Sequence, residues 1–253
     1  MINPIGTWTL FKRETKRFLK VYVQTILSPV ISNLIFLAIF GLSLRRAIPI
    51  EGLSYLQFLV PGLIIMGIIN NAYQNPSSSI IIMKFQGLIE NLMTIPLRKS
   101  ELLLAFIGSA VLRAIMVGFI TYLTAIFFVD FDYHSISIIL LTALMVAAFF
   151  GFLGMIIGIW AKEFDKMAFI QSFVLMPLIF LGGVFYPISS LPDFFRTLSS
   201  LNPIVYMIDL LRYGFTGVHS FPVVQSLAVL ALAVFLAGAL NYYILKIGYR
   251  LQT

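Results

Sequence analysis

Few side chains in this sequence could do chemistry, and they are scattered. Asp130, Asp132 and His134 share one short segment, where they could bind a cation or form an ordinary polar turn, and we expect the turn. The sequence lacks the nucleotide-binding pattern G-x-x-x-x-G-K-[ST], the hydrolase pattern G-x-S-x-G and the zinc pattern H-E-x-x-H. It also has no cysteine. We therefore expect no catalytic residue, no metal and no cofactor bound by this chain.

A second group of polar residues lies within apolar sequence. Asn70, Asn71, Gln74 and Asn75 form two i,i+4 pairs at the end of one apolar stretch, and Arg113 interrupts another. Lipid penalises such groups, so they should face protein, water or a substrate. Two roles stay open for the carboxamides, namely hydrogen bonding within a bundle and lining a transport pathway. For Arg113 the alternatives are snorkelling or an ion pair, and a place in a pathway or dimer interface.

The elements that hold these residues are predicted to be membrane-spanning helices. Of 253 residues, 60% are hydrophobic and 11% are charged, whereas a soluble domain has roughly a quarter charged. A helix needs about 20 apolar residues to cross a bilayer. Stretches of this kind recur at residues 21–44, 53–83, 102–129, 135–161, 167–192 and 221–245. The sequence therefore predicts an all-α integral membrane protein, one domain over residues 1–253, with six transmembrane helices.

The distribution of basic residues predicts the orientation. With both termini in the cytoplasm, most of the 17 Lys and Arg residues lie on the inner side, as the positive-inside rule requires. Those that fall on the outer side are Arg45, Arg46, Arg196 and Arg212. Because the basic residues flank apolar stretches instead of covering one soluble face, the net charge of +7 does not indicate nucleic-acid binding.

Three segments outside the spans are predicted to be helical. Residues 7–20 have Trp8, Phe11 and Phe18 on one stripe among basic residues, which is typical of an amphipathic helix in the headgroup layer. Residues 80–93, in the longest inner loop, are apolar enough to form a short helix against the membrane or a partner. Residues 186–213 are too apolar for an aqueous loop and suggest half-helices that re-enter the outer leaflet.

The segment after the fifth span carries a specific pattern: a glycine pair, an aromatic residue, Pro, Leu-Pro, Asn-Pro and a later Arg. It resembles the C-terminal signature of bacterial type-2 ABC transporter permeases. The inner loop is similar to the coupling helix of that family, and most of the chain is similar to its YadH-like branch. The residues of the outer signature are Gly182, Gly183, Phe185, Pro187, Leu191, Pro192, Asn202, Pro203 and Arg212, and those of the coupling loop are Lys84, Phe85, Glu90, Leu92 and Pro96.

The resemblance implies the permease of an ATP-driven exporter in the bacterial inner membrane. Two copies would form a homodimeric pore, and two copies of a separate ATPase subunit, holding ATP and Mg, would dock beneath it. Residues 80–93 and the N-terminal helix would contact the ATPase, and residues 186–213 would close the outer end. The substrate (polysaccharide, lipid-linked molecule or drug) and the choice between homodimer and heterodimer stay open. From the residues alone, an ion-driven secondary transporter or channel and a membrane-embedded enzyme are the alternatives.

Overall fold

The computed structural model describes residues 3–43, 52–89 and 96–249. Within these ranges the regular structure is helical, and six helical stretches are long and apolar enough to cross a membrane, as predicted. The α-helices are α1 (Pro4–Lys20), α2 (Ser28–Ser43), α3 (Tyr55–Phe85), α4 (Lys99–Ala125), α5 (Ile136–Trp160), α6 (Phe164–Ile170), α7 (Met176–Leu181), α8 (Asp193–Ser200), α9 (Pro203–Thr216) and α10 (Val223–Ile247).

The central element is α3. It begins with a capping box in which Ser54 and Gln57 satisfy each other's backbone N–H groups. Its sequence is apolar on all sides from Phe58 to Ile69, and 83% of its most apolar stretch is buried. Such a helix belongs in the middle of a bundle. It packs against α2, α4, α5 and α9, so residues on its different faces meet different spans.

The glycines of α5 let that helix lie directly on α3. A Cβ added at Gly158 would sit 2.9 Å from the Cα of Ser77, and one added at Gly154 would collide with the carbonyl group of Tyr73. Gly151 lies farther along the same helix, where a Cβ would reach Ala110 at 3.4 Å. The glycines of the fourth span therefore allow two helix backbones to touch.

Two spans contain a π-helical turn. Val23–Leu27 precedes α2 in the first span, and Gln171–Leu175 joins α6 to α7 in the fifth. The same two spans are 22% and 11% buried, far less than α3. Their apolar faces are therefore left for lipid or for another protein chain.

The N-terminal helix α1 exists, but its packed face differs from the predicted stripe. Leu10, Glu14 and Phe18 are buried, whereas Trp8 is 62% exposed. Contact of the exposed Trp8 with the headgroup layer stays a prediction. Glu14 does not belong to the apolar stripe. It is buried because hydrogen-bond donors of the protein surround its carboxylate.

Two further segments differ from expectation or stay untested. Residues 80–85 are the last turn and a half of α3, so the expected coupling helix does not begin at Ile80. The helix ends there because Gly87 has a left-handed backbone, with φ of 66°. Residues 90–93 lie outside the described residues. Residues 186–213 contain α8 and most of α9, and their depth in the membrane stays a prediction.

Candidate functional site

A buried carboxylate fixes α1 to the bundle. The Glu14 side chain has 0% exposure, and its Oε2 accepts hydrogen bonds from Ser79 Oγ at 2.6 Å and from Arg17 Nε at 3.1 Å. Its Oε1 lies 3.7 Å from Arg13 Nε. A carboxylate away from water is stable only with donors of this kind. Glu14 is therefore a structural anchor of α1 on α3.

Arg17 extends this contact across α3 to α4. Its Nη2 donates to the carbonyl oxygen of Asn75 at 2.7 Å and to Asn75 Oδ1 at 3.0 Å. The amide of Asn75 in turn donates to Ser109 Oγ in α4 at 3.0 Å. We call Glu14, Arg17, Asn75, Ser79 and Ser109 the inner polar network. It connects α1, α3 and α4 without a break.

The polar residues predicted within the spans form a second group. Arg113 Nε donates to Asn71 Oδ1 at 3.2 Å, and Arg113 Nη2 donates to Gln74 Oε1 at 3.4 Å. Gln74 Nε2 donates to Gln171 Oε1 at 3.2 Å, and Gln171 Nε2 donates to Asn70 Oδ1 at 3.1 Å. We call these five residues the central cluster. The structure thus brings Asn70, Asn71, Gln74 and Arg113 together, and the π turn of the fifth span adds Gln171.

Arg113 is buried within the helix bundle. It lies near the middle of α4, roughly 21 Å along the axis from Lys99 at 1.5 Å per residue. It is 4% exposed, and among the described residues no carboxylate pairs with it. The ion-pair interpretation of Arg113 is therefore not supported within the described residues, and the snorkelling alternative stays a prediction. Its neighbours are neutral carboxamides.

The predicted coupling loop begins at a contact between two inner connections. Lys84 Nζ donates to the carbonyl oxygens of Ile159 and, at 3.0 Å, Ala161, so it caps the C-terminus of α5. The ring of Phe85 stacks on that of Phe164, with centroids 5.7 Å apart. Pro96 is exposed at the far end of the loop. Glu90 and Leu92 lie outside the described residues.

The outer signature is held together by Arg212. Its guanidinium lies 3.7 Å from the centroid of the Phe58 ring, and its Nη2 donates to the carbonyl oxygen of Gly183 at 3.0 Å. Gly183 has φ of 79°, a conformation that favours glycine, and ends α7. Gly182 has no room for a side chain, because a Cβ there would lie 2.9 Å from Ile204. Arg212 therefore ties α9 to the end of α7 and to α3.

The remaining signature residues shape the turns between the outer helices. Asn202 caps α9 by accepting from the N–H of Ile204 at 3.0 Å, and its amide donates to the carbonyl oxygen of Leu178 at 2.6 Å. Pro203 is the first residue of α9. Phe185 packs its ring 4.8 Å from that of Phe40. Three more residues bound the short helices of this segment, namely Pro187, Leu191 and Pro192.

A carboxylate in α9 was missed by sequence reasoning. Asp209 is 3% exposed and accepts from the N–H groups of Ser220 at 2.8 Å and Phe221 at 3.1 Å. Burial raises the pKa of Asp209, and the two N–H groups and the Arg212 charge oppose that rise. Asp209 therefore fixes the entry to α10.

His134 and its neighbours lie in the short connection between α4 and α5. Within the described residues, no three His, Cys, Asp or Glu side chains come together as ligands. His134 Nε2 lies 3.0 Å from the hydroxyl of Tyr213. Next to it, the hydroxyls of Tyr122 and Tyr133 are 2.5 Å apart. This hydrogen bond, with burial, raises the pKa of Tyr133 to about 12.

The sequence did not indicate three further polar residues of these sites, namely Glu14, Arg17 and Gln171. One pattern could have indicated Glu14, since it is the sole acidic residue of the basic helix α1. Gln171 is one polar residue within an apolar stretch, and its partners are about 100 residues away in sequence. No local pattern connects residues so far apart.

A bundle of six apolar spans around a buried polar centre is typical of a multi-pass membrane protein. Residues 6–216 match the model of the ABC-2 type transporter family, and the chain belongs to that family. It is 41% identical to the inner membrane transport permease YadH of Escherichia coli over 223 residues, 88% of this chain and 87% of that protein. It is 24% identical to nodulation protein J of Sinorhizobium fredii over 212 residues, 83% of this chain and 81% of that protein. The chain is thus the transmembrane subunit of an ABC transporter, and its family works with an ATPase subunit.

Proposed function

We propose that this chain is the permease of an ATP-driven exporter in the bacterial inner membrane. ATP and Mg are bound and hydrolysed by a separate ATPase subunit, and this chain provides the route across the bilayer. The family match over residues 6–216 carries the proposal. The two copies of this chain form a homodimer, two ATPase subunits dock on its inner side, and both termini lie in the cytoplasm.

The inner polar network supports a mechanical link between α1 and the spans. Because Glu14 and Arg17 bond to Ser79 and Asn75 on α3, a displacement of α1 acts directly on the central helix. Asn75 also donates a hydrogen bond to Ser109 on α4. An ATPase that pushes on α1 and on the loop after Phe85 would thus move α3 and α4 together.

The central cluster is the proposed lining of the transport route. It lies on α3, α4 and the fifth span, and its carboxamides offer both donors and acceptors within the bundle. Asn70, Gln74 and Gln171 are partly exposed on the surface of the single chain, so a transported molecule can reach them. The outer segment 186–213, held by Arg212, closes the far end.

The test is reconstitution with and without the ATPase. The permease and a candidate ATPase subunit are placed in vesicles, and ATP hydrolysis and movement of candidate polysaccharides, lipid-linked molecules and drugs are measured. ATP-dependent movement that stops without the ATPase is expected. Movement at full rate in vesicles without the ATPase would instead favour an ion-driven secondary transporter or channel.

Glu90→Ala tests the coupling loop within the same assay. We expect weaker ATPase association or uncoupled hydrolysis with normal membrane insertion, because Glu90 lies in the loop that resembles the family's coupling helix. Asp193→Ala is the matched control, since that carboxylate is fully exposed on α8. Unchanged association and transport in Glu90→Ala would remove Glu90 from the docking surface.

A further inference from the structure

The charge of Arg113 is not balanced by the described residues around it. The described contacts of its guanidinium are with two neutral carboxamides, Asn71 and Gln74. The residue is 4% exposed, and within the described part of the chain no carboxylate lies within ion-pair distance. Removing a charge from water without a counter-charge is costly. The folded protein therefore carries a buried positive charge that a ligand could neutralise.

The surroundings of Arg113 supply no counter-charge within the described part of the chain. The Arg17 guanidinium contacts Asn75, which lies one helical turn from Asn71 on α3. The charge of Arg17 is matched by Glu14, with which it pairs at 3.1 Å. Arg113 thus remains the unmatched charge of the region, and the other members of the central cluster are neutral amides.

The donor geometry of the central cluster suits an oxyanion. A guanidinium has five N–H donors in a planar fork, and the described hydrogen bonds of Arg113 go to two acceptors. The amide groups of Gln74 and Gln171 supply further donors on the side that is partly exposed. Forked donors of this kind match phosphate, sulfate and carboxylate groups.

Gln171 stands where a ligand would enter. Its side chain bonds to both Gln74 and Asn70, so it covers the cluster from the fifth span. It is the first residue of the π turn Gln171–Leu175. Such turns are often found at functional sites, because they interrupt the regular helix. An anion that displaced the amide of Gln171 from Gln74 would gain access to Arg113.

We propose that the central cluster binds an oxyanion carried by the transported molecule, with Arg113 as its counter-charge. This inference rests on the proposed function, because it names the chemical class of the molecule moved. The charged group is a phosphate, sulfate or carboxylate, and the apolar surroundings of the cluster place it on an amphiphile.

The experiment measures binding to the permease alone, in nanodiscs of phosphatidylcholine. The probe is radiolabelled 1-oleoyl lysophosphatidic acid, and its control is 1-oleoylglycerol, which has the same acyl chain without the phosphate. We expect the phosphate probe to bind about tenfold or more tightly. Since no ATPase is present, a failure here is distinct from a failure of ATP-driven transport.

Two variants locate the site. Arg113→Gln removes the charge, and Gln74→Glu places a carboxylate beside the guanidinium at the position that now holds Gln74 Oε1. Both should abolish the preference for the phosphate probe. If Arg113→Gln fails to fold, Gln74→Glu decides, because it supplies the missing counter-charge and should raise stability. Arg196→Gln, at an exposed outer arginine, is the matched control and should keep the preference.

The remaining outcomes are defined in advance. Equal binding of the two probes to the parent, or an unchanged preference in Gln74→Glu, overturns the proposal. The proposal is also overturned if Lys16→Gln on α1 loses the preference while Arg113→Gln and Gln74→Glu keep it. Binding would then occur at the membrane surface. Competition by inorganic phosphate would show that a free oxyanion also enters the cluster, and lack of competition would restrict it to amphiphiles. Both of these results retain the oxyanion site.

Discussion

The carboxylate of Glu14 in α1 accepts a 2.6 Å hydrogen bond from the hydroxyl of Ser79 in α3, and the Glu14 side chain is fully buried. Glu14 and Ser79 are 65 residues apart in sequence. Through this bond a helix rich in basic residues, which could have lain loosely on the membrane surface, becomes part of the packed bundle. A displacement of α1 would therefore act directly on α3.

Glu14→Ala should release α1 from the bundle. It removes the acceptor of Ser79 and leaves the Arg17 guanidinium without its carboxylate partner. Breaking a buried pair in this way costs about 3–5 kcal/mol, and Arg17 is partly exposed, so we expect the lower value. The thermal unfolding midpoint in detergent is the measurement. Glu163→Ala, at an exposed glutamate, is the control, and equal midpoints for the two variants would contradict the role of Glu14.

Gly158→Ala should destabilise the contact between α5 and α3. A Cβ there lies 2.9 Å from the Cα of Ser77, so backbone has to move. Overpacking of this kind costs about 1–3 kcal/mol. Gly151→Ala is the matched control, because its Cβ would meet a methyl group at 3.4 Å. Thermal unfolding of the two purified variants is compared, and a loss in Gly151→Ala as large as in Gly158→Ala would argue against the close approach.

Asn202→Ala should loosen the outer segment. It removes the cap of α9 and the hydrogen bond to the carbonyl oxygen of Leu178. Loss of the cap alone costs roughly 1 kcal/mol. Asn202→Ser keeps a capping oxygen but loses the hydrogen bond to Leu178. Its stability should therefore fall between that of the parent protein and that of Asn202→Ala. Protease accessibility of the loop after α7 reports the change, and identical digestion of all three proteins would contradict the prediction.

Lys84→Met should separate the two inner connections. It keeps the length of the side chain but removes its donations to the carbonyl oxygens of Ile159 and Ala161. We expect more ATP hydrolysed per molecule transported in the reconstituted complex, because motion of the loop after α3 no longer reaches α5. Lys166→Met, at an exposed lysine, controls for charge. A normal ratio in Lys84→Met would exclude this route of coupling.

The outer signature shows what a sequence motif predicts and what it leaves open. The sequence identified Gly183, Asn202 and Arg212 as members of one pattern, and their roles required coordinates. Arg212 crosses from α9 to the carbonyl oxygen of Gly183 and the ring of Phe58. The predicted topology puts Arg212 on the outer side of the membrane but says nothing of its burial. In the structure Arg212 is 5% exposed.

The sequence by itself determined that the protein belongs in a lipid bilayer, that it is helical and how many spans it has. These follow from local composition, since a stretch of about 20 apolar residues is specified without reference to the rest of the chain. It also indicated Asn70, Asn71, Gln74 and Arg113 as polar groups that lipid would penalise. Their alternatives stayed open because a one-dimensional pattern does not show which helices are neighbours.

Tertiary structure alone decided which of those groups meet. It placed Arg113 against Asn71 and Gln74, brought Gln171 to them from the fifth span, and buried Glu14 beneath Ser79. The physical reason is that hydrogen bonds between spans depend on helix rotation and packing. Small residues such as Gly154 and Gly158 set that packing by allowing one backbone to touch another.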